Sequence, residues 1–256
     1  MTIQIKVHET SGTIIMDRPS THNAADAQLV AALDQAFGDL HQEKRVRAVI
    51  LTGKGTSFCA GTDLRSLDIA QSESLARWHG EVSAQRDLLV KMLHFPKPII
   101  AAVNGPALGL GAALALAADI CIGTEDATFG LPESRRGLTA GLAIPLLAFR
   151  IGAGVAARLG LLGESLSAAE AHRVQLYQEL VPADQLWVRA HALSGVCGRG
   201  SAEAQAMAKR LLNETVGEDL QTWLSLGAAA TATSRTTDAA AEGVHAFLEK
   251  RVPKWP

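Results

Sequence analysis

Three short segments of the sequence hold residue types that could do chemistry. Two are glycine-rich turns, SFCAGTDL at residues 57–64 and GPALGLGAA at residues 105–113. The third, FGLPESRRGL at residues 129–138, contains one carboxylate, Glu133, directly after a proline. Glycine lets the main chain turn sharply and approach a ligand closely, and a positioned carboxylate can accept and return a proton. The pattern therefore predicts backbone donors near a single acid–base group.

Each glycine-rich turn follows an apolar run that is typical of a buried strand, and the second turn leads into a helix. The first N–H groups of a helix lack partners within it and lie at the positive end of its dipole. Two such turns on neighbouring strands could point donors at one oxygen and form an oxyanion hole from backbone alone. The alternatives are two ordinary strand-to-helix turns, or a dinucleotide site that Leu114 makes a poor match.

Other reactive residues favour structural interpretations. Glu133 taken alone could be solvated or paired with Arg135. The pair Arg135 and Arg136 could contact a phosphate group of a ligand, but an exposed, solvated pair is expected. Cys59 is expected to be a packed neutral thiol, because no histidine lies recognisably near it in the sequence. Surface or hydrogen-bonded roles are expected for three scattered histidines: His22, His79 and His94.

The elements that must position these segments alternate along the first two thirds of the chain. A hairpin is expected at residues 3–16, and Asp26 is placed to begin a helix whose apolar positions are Leu29, Leu33, Phe37 and Leu40. Buried strands are predicted at residues 47–53, 99–103 and 119–123, with helices at 75–93 and 108–118. This order indicates an α/β domain with parallel pairing. After Ser194 only helical periodicity remains, at residues 202–213 and 237–250.

Composition excludes several classes of protein. The 256 residues carry 24 basic and 26 acidic side chains, a formal charge of −2, which does not suit nucleic acid or a polybasic membrane patch. Three distant cysteines predict neither a disulfide framework nor a zinc site, and no metal is expected. No secretory signal is recognisable, so a cytoplasmic protein is expected. The apolar stretch 98–118 is long enough for a membrane span, but Pro106 and its glycines favour a buried strand, turn and helix.

Taken together, the segments resemble the crotonase superfamily, the enoyl-CoA hydratase/isomerase family. The likeness covers nearly the whole chain, from DRPSTHNAADAQL through RAVILTGKGTSFCAGTDL, KPIIAAVNGPALGLGAALALAADI and ATFGLPESRRGL to LGLLGESLSAAEA and FLEKRVPKW. It implies a spiral of repeated ββα units over residues 1–195 and a helical trimerisation region over 196–256. It also implies an acyl-CoA substrate, with coenzyme A as part of that substrate and no permanently bound cofactor.

The resemblance also implies roles for individual residues. The backbone N–H groups of Thr62 and Leu110 would be the two oxyanion donors, and Glu133 would be the catalytic acid or base. The coenzyme A path would be lined by Ala24, Ala60, Gly61, Thr62, Asp63, Leu64, Gly109 and Leu110. The acyl pocket would be formed by residues 69–93 and by residues after Gly137.

One departure from the family pattern bears on the reaction. Ala113 stands where the hydratases have their first glutamate. Two carboxylates suit the addition of water to an enoyl group, whereas one base can move a proton from the α to the γ carbon. Double-bond isomerisation is therefore favoured, with hydration or another lyase reaction as the alternative. A non-catalytic acyl-CoA-binding or scaffolding protein is the alternative from another class.

A homo-oligomer, either a trimer or a hexamer, is also expected. The helical tail has apolar residues that predict a partner surface: Leu211, Leu212, Leu224, Leu226 and Phe247.

Overall fold

The computed structural model describes residues 2–67, 75–217 and 219–255. The strands are β1 (Ile3–His8), β2 (Ser11–Met16), β3 (Ala48–Gly53), β4 (Ile99–Val103), β5 (Ala107–Leu108), β6 (Ile120–Thr124), β7 (Thr128–Gly130), β8 (Ser165–Ser167) and β9 (Glu179–Val181). The helices are α1 (Ala27–Gln42), α2 (Leu75–His94), α3 (Leu110–Ala117), α4 (Ala143–Arg150), α5 (Ala153–Leu162), α6 (Ala168–Arg173), α7 (Leu186–Gly198), α8 (Ala202–Arg210), α9 (Leu220–Ser234) and α10 (Asp238–Leu248).

The main sheet has the strand order β1-β2-β3-β4-β6-β9. Strands β1 and β2 form the predicted antiparallel hairpin, and every other neighbouring pair is parallel. The predicted α/β order is thus confirmed. Because β3 and β4 run in the same direction, the turns that follow them leave the same edge of the sheet.

The central strands are buried on both faces, as expected for a parallel sheet. Val49 and Leu51 of β3 belong to the larger hydrophobic cluster. Ile50, between them, packs with Ile100 in a second cluster that also contains Leu186 of α7. Helix α7 therefore covers one face of the sheet, and the larger cluster fills the other.

Helix α1 begins as the sequence predicts. The Asp26 side chain caps it by accepting a hydrogen bond from the backbone N–H of Leu29 at 2.9 Å. Its predicted apolar stripe is buried, including Leu33 and Phe37, neither of which has any exposed surface. Capping and periodicity agree here, because both are local properties of the sequence.

A second, three-stranded sheet with the order β5-β7-β8 is not expected from the sequence. Its strands have two or three residues, too few to show an alternating pattern. Pairing of Ala107 and Leu108 with β7 delays the start of α3 to Leu110, two residues after the predicted beginning of that helix.

The C-terminal region packs against the rest of the chain. Helix α7 runs through residue 195, the predicted boundary, and α9 packs on α2. Leu224 of α9 is fully buried there, so its assignment to a partner surface is wrong. Beyond Arg210, residues 211–216 continue α8 as a π-helical turn. No helix within the described ranges is long and apolar enough to cross a membrane.

Candidate active site

A cavity of about 410 Å³ opens beside the ends of β3 and β4. Glu133 lies in its wall, and so do all the residues predicted for the coenzyme A path: Ala24, Ala60, Gly61, Thr62, Asp63, Leu64, Gly109 and Leu110. Of the predicted acyl pocket, residues 69–74 lie outside the described residues. Leu138 follows Gly137 in the cavity wall.

Two asparagine side chains fix the turn that follows β3. The buried Asn23 amide donates to the Ser57 carbonyl oxygen at 2.8 Å, and its oxygen accepts from the Arg18 N–H, also at 2.8 Å. Asn104, at the end of β4, accepts from the Gly53 N–H at 3.0 Å and donates to the Gly55 carbonyl at 2.9 Å. Sequence reasoning missed both roles, because these contacts join distant segments.

Backbone hydrogen bonds tie the two glycine-rich turns together. The Cys59 N–H donates to the Pro106 carbonyl at 3.1 Å, and the Leu108 N–H donates to the Cys59 carbonyl at 2.9 Å. Burial raises the pKa of the Cys59 thiol to about 11. The prediction of a packed neutral thiol at this position is therefore confirmed.

Thr62 is held by a parallel bridge to Ala25. Ala25 donates to the Gly61 carbonyl at 2.7 Å and accepts from the Asp63 N–H at 2.8 Å. The flanking residues thus make the bridge, and the N–H of Thr62 itself has no acceptor among the described residues. Asp63 is held by ion pairs with Arg18 at 3.5 Å and Arg65 at 3.3 Å.

Leu110 is the first residue of α3, and Gly109 caps this helix without a side chain. An N–H at this position has no carbonyl one turn earlier to bond. In the described part of the chain it has no other acceptor either. The cavity wall therefore contains two unpaired backbone donors, one from each turn.

The two turns approach each other so closely that glycine is required at both. Gly61 and Gly109 have positive φ angles of 93° and 55°. A Cβ on Gly61 would stand 2.9 Å from the Leu108 carbonyl oxygen, and one on Gly109 would collide with the carboxyl group of Glu133. The Glu133 carboxyl group therefore lies directly against the main chain of the second turn.

Glu133 belongs to a 3₁₀ helix, Pro132–Arg136, that follows β7. Its Oε2 atom is buried and has no hydrogen-bond partner in the described structure. Loss of hydration raises the pKa of this carboxyl to about 7, against smaller opposing effects of its own backbone and of the Arg136 charge. A carboxyl with a pKa near neutrality can both take and return a proton.

Arg136 differs from the expectation of an exposed arginine pair. Arg135 is exposed and donates to the Leu162 carbonyl at 3.0 Å, whereas Arg136 lies in the cavity wall. The Arg136 guanidinium stacks on the Phe247 ring, 4.6 Å from its centroid, and burial lowers its pKa. The contact with Phe247, which lies far along the chain, covers this side chain, and the residues next to Arg136 in the sequence do not reveal it.

The C-terminal helices supply part of the cavity wall. The cavity is lined by Arg235, which directly follows α9, by Phe247 and Leu248 of α10, and by Lys250. Sequence analysis assigned this region to oligomerisation, so Phe247 has a contact within its own chain that was not predicted. His22, predicted as a surface or hydrogen-bonded residue, lines the cavity with its Nδ1 3.1 Å from the Ser57 hydroxyl.

A separate group of side chains lies outside this wall. His8, Glu9 and His191 place potential ligand atoms within 4.8 Å of one another, and none of the three lines the cavity. His191 also stacks on Trp187, with 5.1 Å between ring centroids.

Comparisons with known proteins agree with this architecture. Residues 7–256 match the family model described as enoyl-CoA hydratase/isomerase. A Thermus thermophilus protein whose name describes it as an enoyl-CoA hydratase is 33% identical to this chain, over 94% of this chain and 96% of its own length.

Two solved structures support the same likeness. An enoyl-CoA hydratase/isomerase from Xanthobacter autotrophicus superposes with a TM-score of 0.91 and 26% identity, over 98% of this chain and 94% of that one. An enoyl-CoA hydratase from Bacillus anthracis superposes with a TM-score of 0.80 and 30% identity, over 100% of this chain and 99% of that one.

Proposed function

The chain belongs to the enoyl-CoA hydratase/isomerase family, and from this premise we propose that it moves the double bond of a 3-enoyl-CoA to the conjugated 2,3 position. The observation that carries the proposal is the Glu133 carboxyl group, which lies against Gly109 beside two unpaired backbone donors and whose buried Oε2 atom has no hydrogen-bond partner within the described residues. This arrangement suits a reaction with one base and one developing oxyanion.

The reaction proceeds by two proton transfers. The Glu133 carboxylate removes a proton from the α carbon, and the electron pair moves through the thioester to its oxygen. The N–H groups of Thr62 and Leu110 stabilise that oxyanion. The Glu133 carboxylic acid then returns the proton to the γ carbon, the carbonyl re-forms, and the base is restored. Only a proton moves, so the reaction needs no electron carrier, and coenzyme A enters and leaves with the acyl group.

Backbone donors suit this task because they cost no reorganisation when charge develops. Removal of one oxyanion donor costs about 2.7–4 kcal/mol in comparable enzymes. The bridge between Ala25 and Thr62 and the start of α3 fix the two donors before substrate binds. Support for the enolate thus comes from the fold, and Glu133 needs only modest basicity.

Hydration of 2-enoyl-CoA is the alternative, and the names of the relatives favour it. Against it, Ala113 is fully buried and has no group that could hold a water molecule. Ala113→Glu would supply a second carboxylate from α3. If the missing glutamate is what separates this chain from a hydratase, hydration by that variant will rise above the wild-type rate.

Both reactions can be followed by the absorbance of the conjugated thioester. If the protein is an isomerase, absorbance will increase when 3-enoyl-CoA is added. This increase will be faster than the decrease in absorbance that hydration of 2-enoyl-CoA causes. The reverse ranking would replace isomerisation by hydration. Tight binding of both thioesters with no turnover would indicate a non-catalytic acyl-CoA-binding protein instead.

A homo-oligomer with threefold symmetry is part of the proposal. Leu212 and Leu226 remain 57% and 65% exposed on the C-terminal helices, and Trp223 lies between them in sequence with 43% exposure. Apolar side chains of this size gain stability when a partner covers them. Sedimentation that finds a stable 26.9 kDa monomer at micromolar concentration would exclude this assembly.

A further inference from the structure

Within the described residues, the Arg136 guanidinium makes no ion pair and no side-chain hydrogen bond. Arg136 ends the 3₁₀ helix that carries Glu133 and lines the same cavity. Its Nε atom is buried and bonded to nothing within the described residues. A buried donor without an acceptor is costly, and more so when it carries charge.

A second arginine in the same wall shows what a partnered guanidinium looks like here. Arg235 lies 3.4 Å from a carboxylate oxygen of Glu81 and stacks on Trp78, 5.3 Å from the ring centroid. Its charge is therefore balanced by this chain. For Arg136 the described residues offer the ring of Phe247 and no ion pair within 4.0 Å.

Glu133 is not the missing ion-pair partner of Arg136. Its Oε2 atom is itself without a hydrogen-bond partner, so the two buried groups are neighbours that do not bond to each other. The pKa of Glu133 is raised to about 7, so near neutral pH this carboxyl is protonated for much of the time. During catalysis it becomes neutral, which leaves Arg136 as an uncompensated cation beside the substrate.

We propose that Arg136 binds a carboxylate on the acyl group, so that the enzyme prefers CoA thioesters of dicarboxylic acids to those of monocarboxylic acids. This inference rests on the proposed function, since it places the reacting carbons at Glu133. The planar fork of a guanidinium matches a carboxylate in a bidentate manner.

The phosphates of coenzyme A are a poorer match for this position. Arg136 and Glu133 are close enough for each charge to influence the other's pKa. With the thioester bound at Glu133, the diphosphate lies a full pantetheine arm away from the reacting carbons. An acyl carboxylate needs only a few carbons to reach the same guanidinium.

The test compares matched pairs of substrates, such as the CoA thioesters of hexenoic and hexenedioic acid, over a series of chain lengths. The measured quantity is the ratio of kcat/KM for the dicarboxylic thioester to that for the monocarboxylic one. Wild type is expected to favour the dicarboxylic member, mainly through KM. Arg136→Met should lower the ratio by about 10- to 100-fold, the usual contribution of a hydrogen bond to a charged group. Arg136→Lys should retain part of the preference.

Arg135→Met is the matched control. Its side chain is exposed and bonds a carbonyl outside the cavity, so the ratio should stay at the wild-type value. The proposal is overturned if wild type shows no preference at any chain length, or if Arg136→Met slows both members equally. It is also overturned if Arg136→Met weakens binding of coenzyme A but not of dephospho-coenzyme A, because the partner would then be a phosphate.

Binding measurements separate this inference from the proposed reaction. Glu133→Gln should lose turnover with both thioesters and still bind the dicarboxylic member more tightly. If Glu133→Gln keeps full turnover, the proposed function fails, and the preference of Arg136 can still be measured in binding. If turnover is lost and no preference is found, the inference fails and the proposed function stands.

Discussion

The cavity is built from two walls that treat their polar groups in opposite ways. The turn wall, residues 53–64 and 104–111, presents backbone N–H groups and is braced by Asn23 and Asn104. The helical wall, residues 132–142 and 231–250, presents side chains, and three of them, Glu133, Ser134 and Arg136, have buried atoms without hydrogen-bond partners among the described residues. The fold fixes the donors of the turn wall, whereas the helical wall carries charged groups that would gain a bonding partner from the substrate.

This difference indicates which part of the active site reduces the stability of the fold. Apart from the N–H groups of Thr62 and Leu110, the backbone of the turn wall is tied together by hydrogen bonds such as those between Cys59 and residues 106–108, so its arrangement also stabilises the fold. The Oε2 atom of Glu133 and the Nε atom of Arg136 are expected to lower stability, because each is buried without gaining a hydrogen bond in return. Such conflicts are expected where a protein has chemistry to perform. Substitutions in the two walls should therefore affect activity and stability differently.

The largest expected effect concerns the carboxylate of the helical wall. Glu133→Gln keeps the size of the side chain but cannot accept a proton, so kcat should fall by about 10²–10⁴ while acyl-CoA still binds. Steady-state kinetics and a binding isotherm on the same variant measure both parts. Unchanged activity would mean that another residue accepts and returns the proton.

The next effect concerns the turn wall and is nearly as large. Leu110→Pro removes one backbone N–H at the first position of α3, where helices tolerate proline well. The loss of an oxyanion donor should lower kcat by about 10²–10³ relative to Leu110→Ala, and because the Leu110 side chain is buried, both variants should lose some thermal stability. Leu110→Ala, which keeps the N–H, is the matched control and should retain most of the activity.

If Leu110→Pro folds normally and turns over at the wild-type rate, this N–H is not an oxyanion donor. If the circular dichroism spectrum shows that Leu110→Pro is unfolded, its loss of activity does not test the donor. The test is then made by replacing the amide at the same bond with an ester. That change removes the donor without a ring.

The pH dependence of Glu133 gives the third prediction, on stability. Its pKa in the folded chain, about 7, lies above the ordinary value of 4.5. A folded protein that holds a proton more tightly is most stable below the unfolded pKa and loses stability as pH rises through the folded one. Glu133→Gln removes this loss, so its free energy of unfolding should exceed that of wild type by about 3 kcal/mol near pH 8. Near pH 4 the two should agree.

Urea unfolding at a series of pH values measures this difference, with Glu125→Gln as an exposed control that should follow wild type. Catalysis should move in the opposite direction, because kcat/KM rises as Glu133 becomes ionised on approaching about pH 7. A stability difference that does not change with pH would mean that burial does not raise the pKa of this carboxyl.

The two walls also differ in how well the sequence predicts them. Gly61 and Gly109 stand out in the sequence because glycine-rich turns after apolar runs are local patterns, and the sequence predicts the strands β3 and β4 that precede the two turns, although not the two-residue strand β5. The burial of Arg136 depends on Phe247, more than a hundred residues later, and Leu224 faces α2 for a similar reason. No local pattern encodes contacts over such separations, so both were misassigned.

The smallest expected effect tests whether the turn wall acts through backbone alone. Thr62→Ala removes a hydroxyl but leaves the N–H and the bridge to Ala25, which Gly61 and Asp63 make. Activity should therefore stay within about twofold of wild type, since no donor to the oxyanion is lost. Thr62→Pro, which deletes the N–H, should be inactive in the same assay. Equal loss in both variants, with normal folding, would assign the role to the hydroxyl, and the turn wall would then depend on a side chain as the helical wall does.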